Sequence, residues 1–322
     1  MNGSGLRVGA VVLTYNSTED LPDCLAGLIA QRGVDLRVIV VDNASCPGSR
    51  ARMEADFLAA FPGGSVIEAD GARGDADAAL PAVFLRNAVN AGYSAGNNIG
   101  ARLAAAIGCD AVLVVNPDVR ITDPDYVRRL AALIVADPKA AVTCSALSNL
   151  SGAQENPMTE PGFVEELLWP VSMLVAGLSR RRKASPPLPE APCRVAKVSG
   201  ACFLVRVDFL RQVGFFDESV FLYCEESILM AQVRAAGWHM MMDPGIHALH
   251  AHRGGAKGDP LPRFRLWMQS RSRFHEAHGG YGALRRTLLA GSRSASLGLV
   301  RGRTLSRRLR DYAAGTRVGR KD

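Results

Sequence analysis

A chain of 322 residues that is 48% hydrophobic and 21% charged can bury a large core, and nothing in its composition is disordered, collagen-like or repetitive. Its seven cysteines are scattered and odd in number, and no pair is spaced C-x-x-C. This argues against a disulfide framework or a zinc site and fits a reducing cytoplasm. The net charge of +7 sits at one end, because residues 280–322 hold eleven Lys and Arg against two acids.

In chain order, the opening "MNGSGLRVGAVVLTYN" lacks the basic region and long apolar core of a signal peptide. The apolar runs Arg7–Tyr15, Leu36–Asp42, Ala82–Asn87 and Ala111–Asp118 are continuous rather than alternating, which predicts strands covered on both faces. Helical patterns separate them at Asp20–Gln31, Ser49–Ala60, Ala95–Ile107 and Asp125–Val135, so the class is α/β with a Rossmann-like, mainly parallel sheet. Ligands of such sheets bind beyond the carboxyl ends of the strands. Three of these ends are polar: "TYN" at 14–16, "VDNAS" at 41–45 and "NPD" at 116–118.

Regularity weakens after residue 140. Ser151–Phe163 is turn-rich and Ser179–Pro192 is a basic, proline-rich loop. The apolar segment between them, Leu167–Leu178, holds Trp169 and Pro170 and is too short to span a bilayer, so no transmembrane helix is predicted. Arg194–Arg206 reads as a long strand or a strand pair. The tail repeats Leu305, Leu309 and Tyr312 at i, i+4 and i+7 with arginines beside them, the pattern of a helix on an anionic surface or packed on its own domain. It lacks the interleaved aromatics of a nucleic-acid module, so no nucleic-acid partner is expected.

Two segments carry chemistry. "NAVNAGYSAGNNIGARLA" (Asn87–Ala104) crowds asparagines with Gly92 and Gly96 at a helix entry, favouring ligand binding over a plain helix cap. It matches neither the Walker loop nor G-x-G-x-x-G. "FLYCEESILM" sets Glu225 and Glu226 at a helix start, where acids either face the positive end of the dipole or serve as a catalytic base. Asp118 offers an oxygen ligand for a magnesium or manganese ion, and the histidines at 247, 250 and 252 could add another.

Taken in order, "VVLTYNSTEDLPDCLAGLIAQ", "VIVVDNAS", "NAGYSAGNNIGA", "VLVVNPDV", "VSGACFLVR" and "VGFFDESVFLYCEES" resemble family 2 glycosyltransferases over roughly residues 7–255. The rhamnosyltransferase-like branch of bacterial surface polysaccharide synthesis is the most similar. The resemblance implies a GT-A fold over residues 1–258, with an acceptor-side insertion near 150–193 and a basic helical extension over 259–322. It also implies inverting transfer of a sugar such as rhamnose from a nucleotide-diphosphate donor to a glycan or polyprenyl-linked glycan, with a divalent cation, Mg or Mn.

By position, Thr14, Tyr15, Asn16 and Asp42 would hold the base and ribose, with Asn90, Gly92 and Asn97 beside the nucleotide. Asp118 takes the last place of the family's D-x-D, whose first place here is Asn116, and His250 stands near the metal. Gly200 and Ala201 would line the acceptor side, as would Trp169. Glu226 falls on the catalytic base, with Glu225 in support. The family commonly continues with Asp and Arg where this chain has Ile228 and Gln232, so a helical ion pair is replaced as a unit. That departure leaves a second reading open, a non-catalytic nucleotide-sugar or glycan-binding protein. The Trp169 segment and the tail together place the expected protein at the inner face of the cytoplasmic membrane, as a peripheral partner of that surface.

Overall fold

The computed structural model describes residues 5–71, 80–176, 188–252 and 260–318, with side chains through residue 306. Most of the proline-rich stretch, and the tail side chains of Leu309 and Tyr312, lie outside the described residues. Two compact units emerge, one drawn from Met1–Thr159, Ser185–Phe221 and Glu225–Arg253, the other from Glu160–Ala184, Leu222–Cys224 and Gly254–Asp322.

The first unit is built on one sheet. Its strands are β1 (Arg7–Thr14), β2 (Asp35–Asn43), β3 (Ser65–Glu68), β4 (Ala82–Asn87), β5 (Ala111–Val115), β6 (Val119–Arg120), β7 (Ala140–Asn149), β8 (Cys193–Val195), β9 (Cys202–Arg206) and β10 (His239–His250). Their order is β3-β4-β2-β1-β5-β9-β7-β10-β6, with β8 on β10. The run from β3 to β5 is parallel, and β9 is antiparallel to both β5 and β7. The sheet is therefore mixed and mainly parallel. The segment Arg194–Arg206 is neither one strand nor a pair: β8 and β9 have different partners. Because β2, β1 and β5 are parallel neighbours, the three polar strand ends lie side by side.

The helices are α1 (Leu21–Ile29), α2 (Pro47–Ala60), α3 (Tyr93–Ala106), α4 (Tyr126–Ala136), α5 (Phe163–Leu167), α6 (Trp169–Ala176), α7 (Val207–Val213), α8 (Glu225–Ala235), α9 (Leu261–Ala277) and α10 (Ala283–Val318). Leu21, Leu25 and Leu28 recur at helical spacing, so α1 buries one stripe. It joins Met53 and Phe57 of α2 and Tyr126 and Leu130 of α4 over Val8, Ala10, Val12 and Leu113. Burying each such side chain stabilises the fold by roughly 1.5–3 kcal/mol. The Tyr126 hydroxyl is satisfied within this core, 2.9 Å from Ser145 Oγ.

The opposite face is covered by α3, and there the glycines have a different reason from the one expected. A Cβ at Gly96 would lie 2.5 Å from Leu13 Cδ1, and one at Gly100 would lie 2.6 Å from Val11 Cγ1. The i, i+4 glycines let the helix backbone sit on β1; Gly96 serves packing rather than ligand approach.

In the second unit α10 packs against α5, α6 and α9, which is why residues 160–176, expected within the insertion of the catalytic domain, group with the C-terminal helices. The Trp169 and Trp267 rings lie 4.6 Å apart by centroid. Beside them is a buried ionic cluster: the Arg271 guanidinium reaches both Glu166 and Glu160, and His275 Nε2 lies 2.9 Å from Glu166 Oε2. Burial alone would raise the Glu166 carboxyl, but His275 and Arg271 hold it below its ordinary range. Val171, Leu174 and Val175 of α6 are exposed. Among the described residues no helix is long and apolar enough to cross a membrane.

Gly100→Val is expected to force α3 off β1, costing about 1–3 kcal/mol. A thermal melt checks this, and an unchanged midpoint would mean the helix can lift without cost.

Candidate active site

The sheet edge is organised by what the strand ends do to one another. Asn16 (φ 54°) and Ala44 (φ 61°) both take left-handed backbone conformations. Asn16 N–H donates to Ser45 Oγ at 2.8 Å and Asn16 Oδ1 accepts from Cys46 N–H at 3.0 Å, tying the first two polar ends together. Thr14 is wholly buried and donates to the Val41 carbonyl. Asp42 is also wholly buried, with Oδ2 2.6 Å from Arg50 Nε and Oδ1 accepting from Ser45 N–H. Thr14 and Asp42 thus brace the frame, while Tyr15 (57% exposed) and Arg50 reach its surface. Arg50 carries no motif and was not singled out by sequence.

The asparagine-rich loop is likewise turned mostly inward. Asn90 Oδ1 accepts from Asn43 Nδ2 at 2.9 Å and from Gly92 N–H at 3.0 Å. Asn98 caps nothing of its own helix; it grips the loop ahead of α8 by bonds to Phe216 and Glu218. Asn97 donates to Tyr93 O, and its buried Oδ1 has no hydrogen-bond partner among the described residues. Gly92 (φ 107°) is required by close approach, since a Cβ there would lie 2.3 Å from the Phe221 carbonyl. That same carbonyl accepts from Tyr93 N–H at 2.9 Å, fixing the chain four residues before Glu225.

Tyr223 (φ 74°) and Cys224 (φ 68°) follow in left-handed backbone, an arrangement that costs free energy and is found at functional sites. They turn the chain into α8, whose first two residues are Glu225 and Glu226. Glu226 faces Gly200: a Cβ at 200 would lie 3.3 Å from Glu226 Oε1 and 3.6 Å from Tyr93 Oη. The Tyr93 hydroxyl donates to Gly200 O at 2.5 Å. Burial and the charges of Glu225 and Glu226 push that phenol well above its usual range, so it stays a donor. Tyr93, Gly200, Phe203, Glu226 and Ile228 line a pocket of about 20 Å³, room for one water-sized group. Ile228 is buried in that lining, and Gln232 Nε2 donates to the Phe215 carbonyl at 3.0 Å. The replaced pair therefore has new work: one member fills the pocket wall and the other holds the preceding turn.

The third polar end is tied to the same place. Val115 pairs with Cys202, and Asn116 N–H donates to Ala201 O at 2.8 Å, joining the end of β5 to the Gly200 strand. Just beyond, β6 pairs with β10 and Ala251 N–H donates to Asp118 O. This brings one ligand atom each from Asp118, His250 and His252 within 4.8 Å of one another. His252 Nδ1 is 3.2 Å from Asp118 Oδ2, and His250 Nε2 is 3.3 Å from Asp118 Oδ1. Glu155 Oε2 lies 2.6 Å from His250 Nδ1, fixing the ring so that Nε2 faces Asp118. Asp118 Oδ1 is buried and accepts no hydrogen bond among the described residues. One carboxylate and two imidazoles clustered in this way fit a divalent cation of the manganese type. Burial tends to raise the Asp118 carboxyl, but the two imidazoles hold it below its ordinary range. Burial lowers the His250 imidazole, and the two carboxylates more than reverse this, to about 9.

The structure thus brings together Asp118 with His250 and, separately, Glu226 with Gly200, within one unit. Trp169 belongs to the other unit. His252 and Glu155 join the set; His252 had been one of three undifferentiated histidines, and Glu155, inside a turn-rich stretch, gave no signal.

Solved structures with this architecture include a mannosyltransferase from Pyrobaculum calidifontis in complex with GDP-Man and Mn²⁺, with TM-score 0.53 and 15% identity over 97% of this chain and 75% of that one. Residues 1–349 of TarS from S. aureus give TM-score 0.51 and 14% identity, over 88% and 70%. Both likenesses are of fold, the GT-A fold. In sequence, the chain is 27% identical over 267 residues to an N-acetylglucosaminyl-diphospho-decaprenol L-rhamnosyltransferase of Mycobacterium tuberculosis, covering 78% of each. It is 24% identical over 241 residues to the low-salt glycan biosynthesis hexosyltransferase Agl10 of Haloferax volcanii, spanning 74% of this chain and 66% of that protein. A model of the family described as "Glycosyltransferase like family 2" matches residues 6–258, and with the GT-A sheet and its polar edge this chain belongs to that family.

Proposed function

We propose that the first unit transfers a sugar, with inversion at the anomeric carbon, from a nucleotide-diphosphate donor to a hydroxyl of a glycan or lipid-linked glycan. The observation that carries this reading is the Glu226 carboxylate at the mouth of α8, beside a glycine that leaves it uncovered. In this mechanism the acceptor oxygen forms its bond to the anomeric carbon as its proton passes to Glu226, and the bond from that carbon to the diphosphate breaks, the electron pair leaving with the nucleoside diphosphate. Tyr93 keeps Gly200 against the glutamate, and Glu225 supports the turn of the helix. Asp118, His250 and His252 would hold a divalent cation, which supplies charge neutralisation to the departing diphosphate.

Tyr15 and Asn16 would meet the nucleoside on a frame braced by Thr14 and Asp42, with Asn90, Gly92 and Asn97 behind them. A rhamnosyl donor is the first to test, because the mycobacterial relative is named for rhamnosyl transfer. That relative's decaprenol-linked acceptor, and the exposed apolar residues of α6, support an acceptor held at a membrane face.

A thermal-shift panel of nucleotide sugars with Mn²⁺ or Mg²⁺ identifies the donor, since a ligand of the native state raises its stability. With that donor, Glu226→Gln is expected to keep the shift and lower turnover by about 10²–10⁴-fold. Turnover within twofold of the parent would remove Glu226 from the chemistry. Glu155→Gln is expected to weaken Mn²⁺ binding, measured by calorimetry with nucleoside diphosphate present, by about 10–100-fold. An unchanged affinity would show that His250 needs no brace, or does not bind the ion.

A further inference from the structure

The two long helices of the second unit face each other with unusually small and basic residues. On α9 the facing positions are Arg265, Met268 and Ser272; on α10 they are Arg293, Leu297 and Arg301, with Ala290 and Ser294 between. These spacings are helical, so each set forms one stripe. Alanine and serine do not fill the space between two helices, and a cavity of about 370 Å³ remains. Three guanidinium groups border it, and among the described residues no acid does.

Among the described residues Arg265, Arg293 and Arg301 form no ion pair, although many arginines of the first unit do. Arg293 is partly buried, with Nη1 2.6 Å from His275 Nδ1 and Nη2 donating to Ser272 Oγ at 3.0 Å. Burial pushes its guanidinium below the ordinary arginine range, and the charges of Glu166 and Glu276 offset this only in part. A partly buried guanidinium with no carboxylate partner among the described residues gains most from an anion with several acceptor oxygens.

The surroundings say which anion. Met268 and Leu297 give the groove an apolar floor. At its Arg301 end, Arg303 Nη2 donates to the Met173 carbonyl of α6 at 2.8 Å, and α6 presents exposed Val171, Leu174 and Val175. A free phosphate ion has no use for an apolar border, whereas a lipid carries its phosphate next to one.

We propose that the groove between α9 and α10 is a binding site for the phosphate headgroup of an anionic lipid, with α6 entering the adjoining apolar layer. This deepens the membrane reading above and does not depend on the transfer chemistry. The test is co-sedimentation of the full chain with vesicles of phosphatidylcholine alone or mixed with phosphatidylglycerol, without donor or acceptor. Arg265→Glu combined with Arg301→Glu is compared with Arg285→Glu combined with Arg286→Glu, an equal charge change at exposed sites on α10 outside the groove.

The groove variant is expected to lose about tenfold or more in partition to the anionic vesicles, and the control about threefold or less. Equal losses would reduce the effect to net charge and overturn the site. Failure of the parent chain to bind anionic vesicles would overturn the lipid assignment. If pyrophosphate without lipid then raised the melting temperature of the parent but not of the groove variant, the ligand would be a soluble anion instead.

Discussion

One backbone hydrogen bond, from Asn116 N–H to the Ala201 carbonyl, gathers this active edge. Strand β9 runs antiparallel between β5 and β7, so the residue before β9 meets the residue after β5. Asp118 lies two residues beyond that bond and Gly200 one residue before it. The cation corner and the glutamate's neighbour therefore belong to the two sides of one strand pairing. A parallel insertion of β9 would have put Gly200 at the opposite edge.

What surrounds that bond is rigid where position matters and strained where the chain must turn. The core beneath is apolar on both faces, and α3 is pressed on β1 through glycines. Among the described residues, those other than glycine with positive φ are 16, 44, 215, 223 and 224, all in segments that lead into or brace the site. Two of them are held by bonds from elsewhere: Asn16 by Ser45 and Cys46, and Phe215 by Gln232. Such positions persist only where their surroundings over-determine them.

The parts legible in the sequence are those whose cause is local. Strands β1, β2, β4 and β5 lie in mainly apolar runs, and α1 and α4 show their stripes. Strand β7, "AAVTCSALSN", is half alanine and serine and gives a weak sheet signal; its burial between β9 and β10 makes it a strand. Strand β10 contains Pro244 and Gly245, which argue against a strand, and the ladder shifts register between Asp243 and His247. The site divides in the same way. Asp118 and Glu226 stand in recognisable motifs, but Glu155 reaches His250 across 95 residues and Arg50 acts only through buried Asp42. The asparagines divide for a related reason: amide side chains that can bind a sugar bind loop backbone equally well, and Asn90 and Asn98 make such backbone or loop contacts here.

The account depends on a single displacement at the anomeric carbon, with Glu226 opposite the leaving diphosphate. The most direct measurement is the anomeric configuration of the transferred sugar, read from the one-bond carbon–proton coupling of the product and compared with that of the donor. The account requires the opposite configuration in product and donor. A product that keeps the donor's configuration would contradict it, because one base and one displacement cannot yield retention.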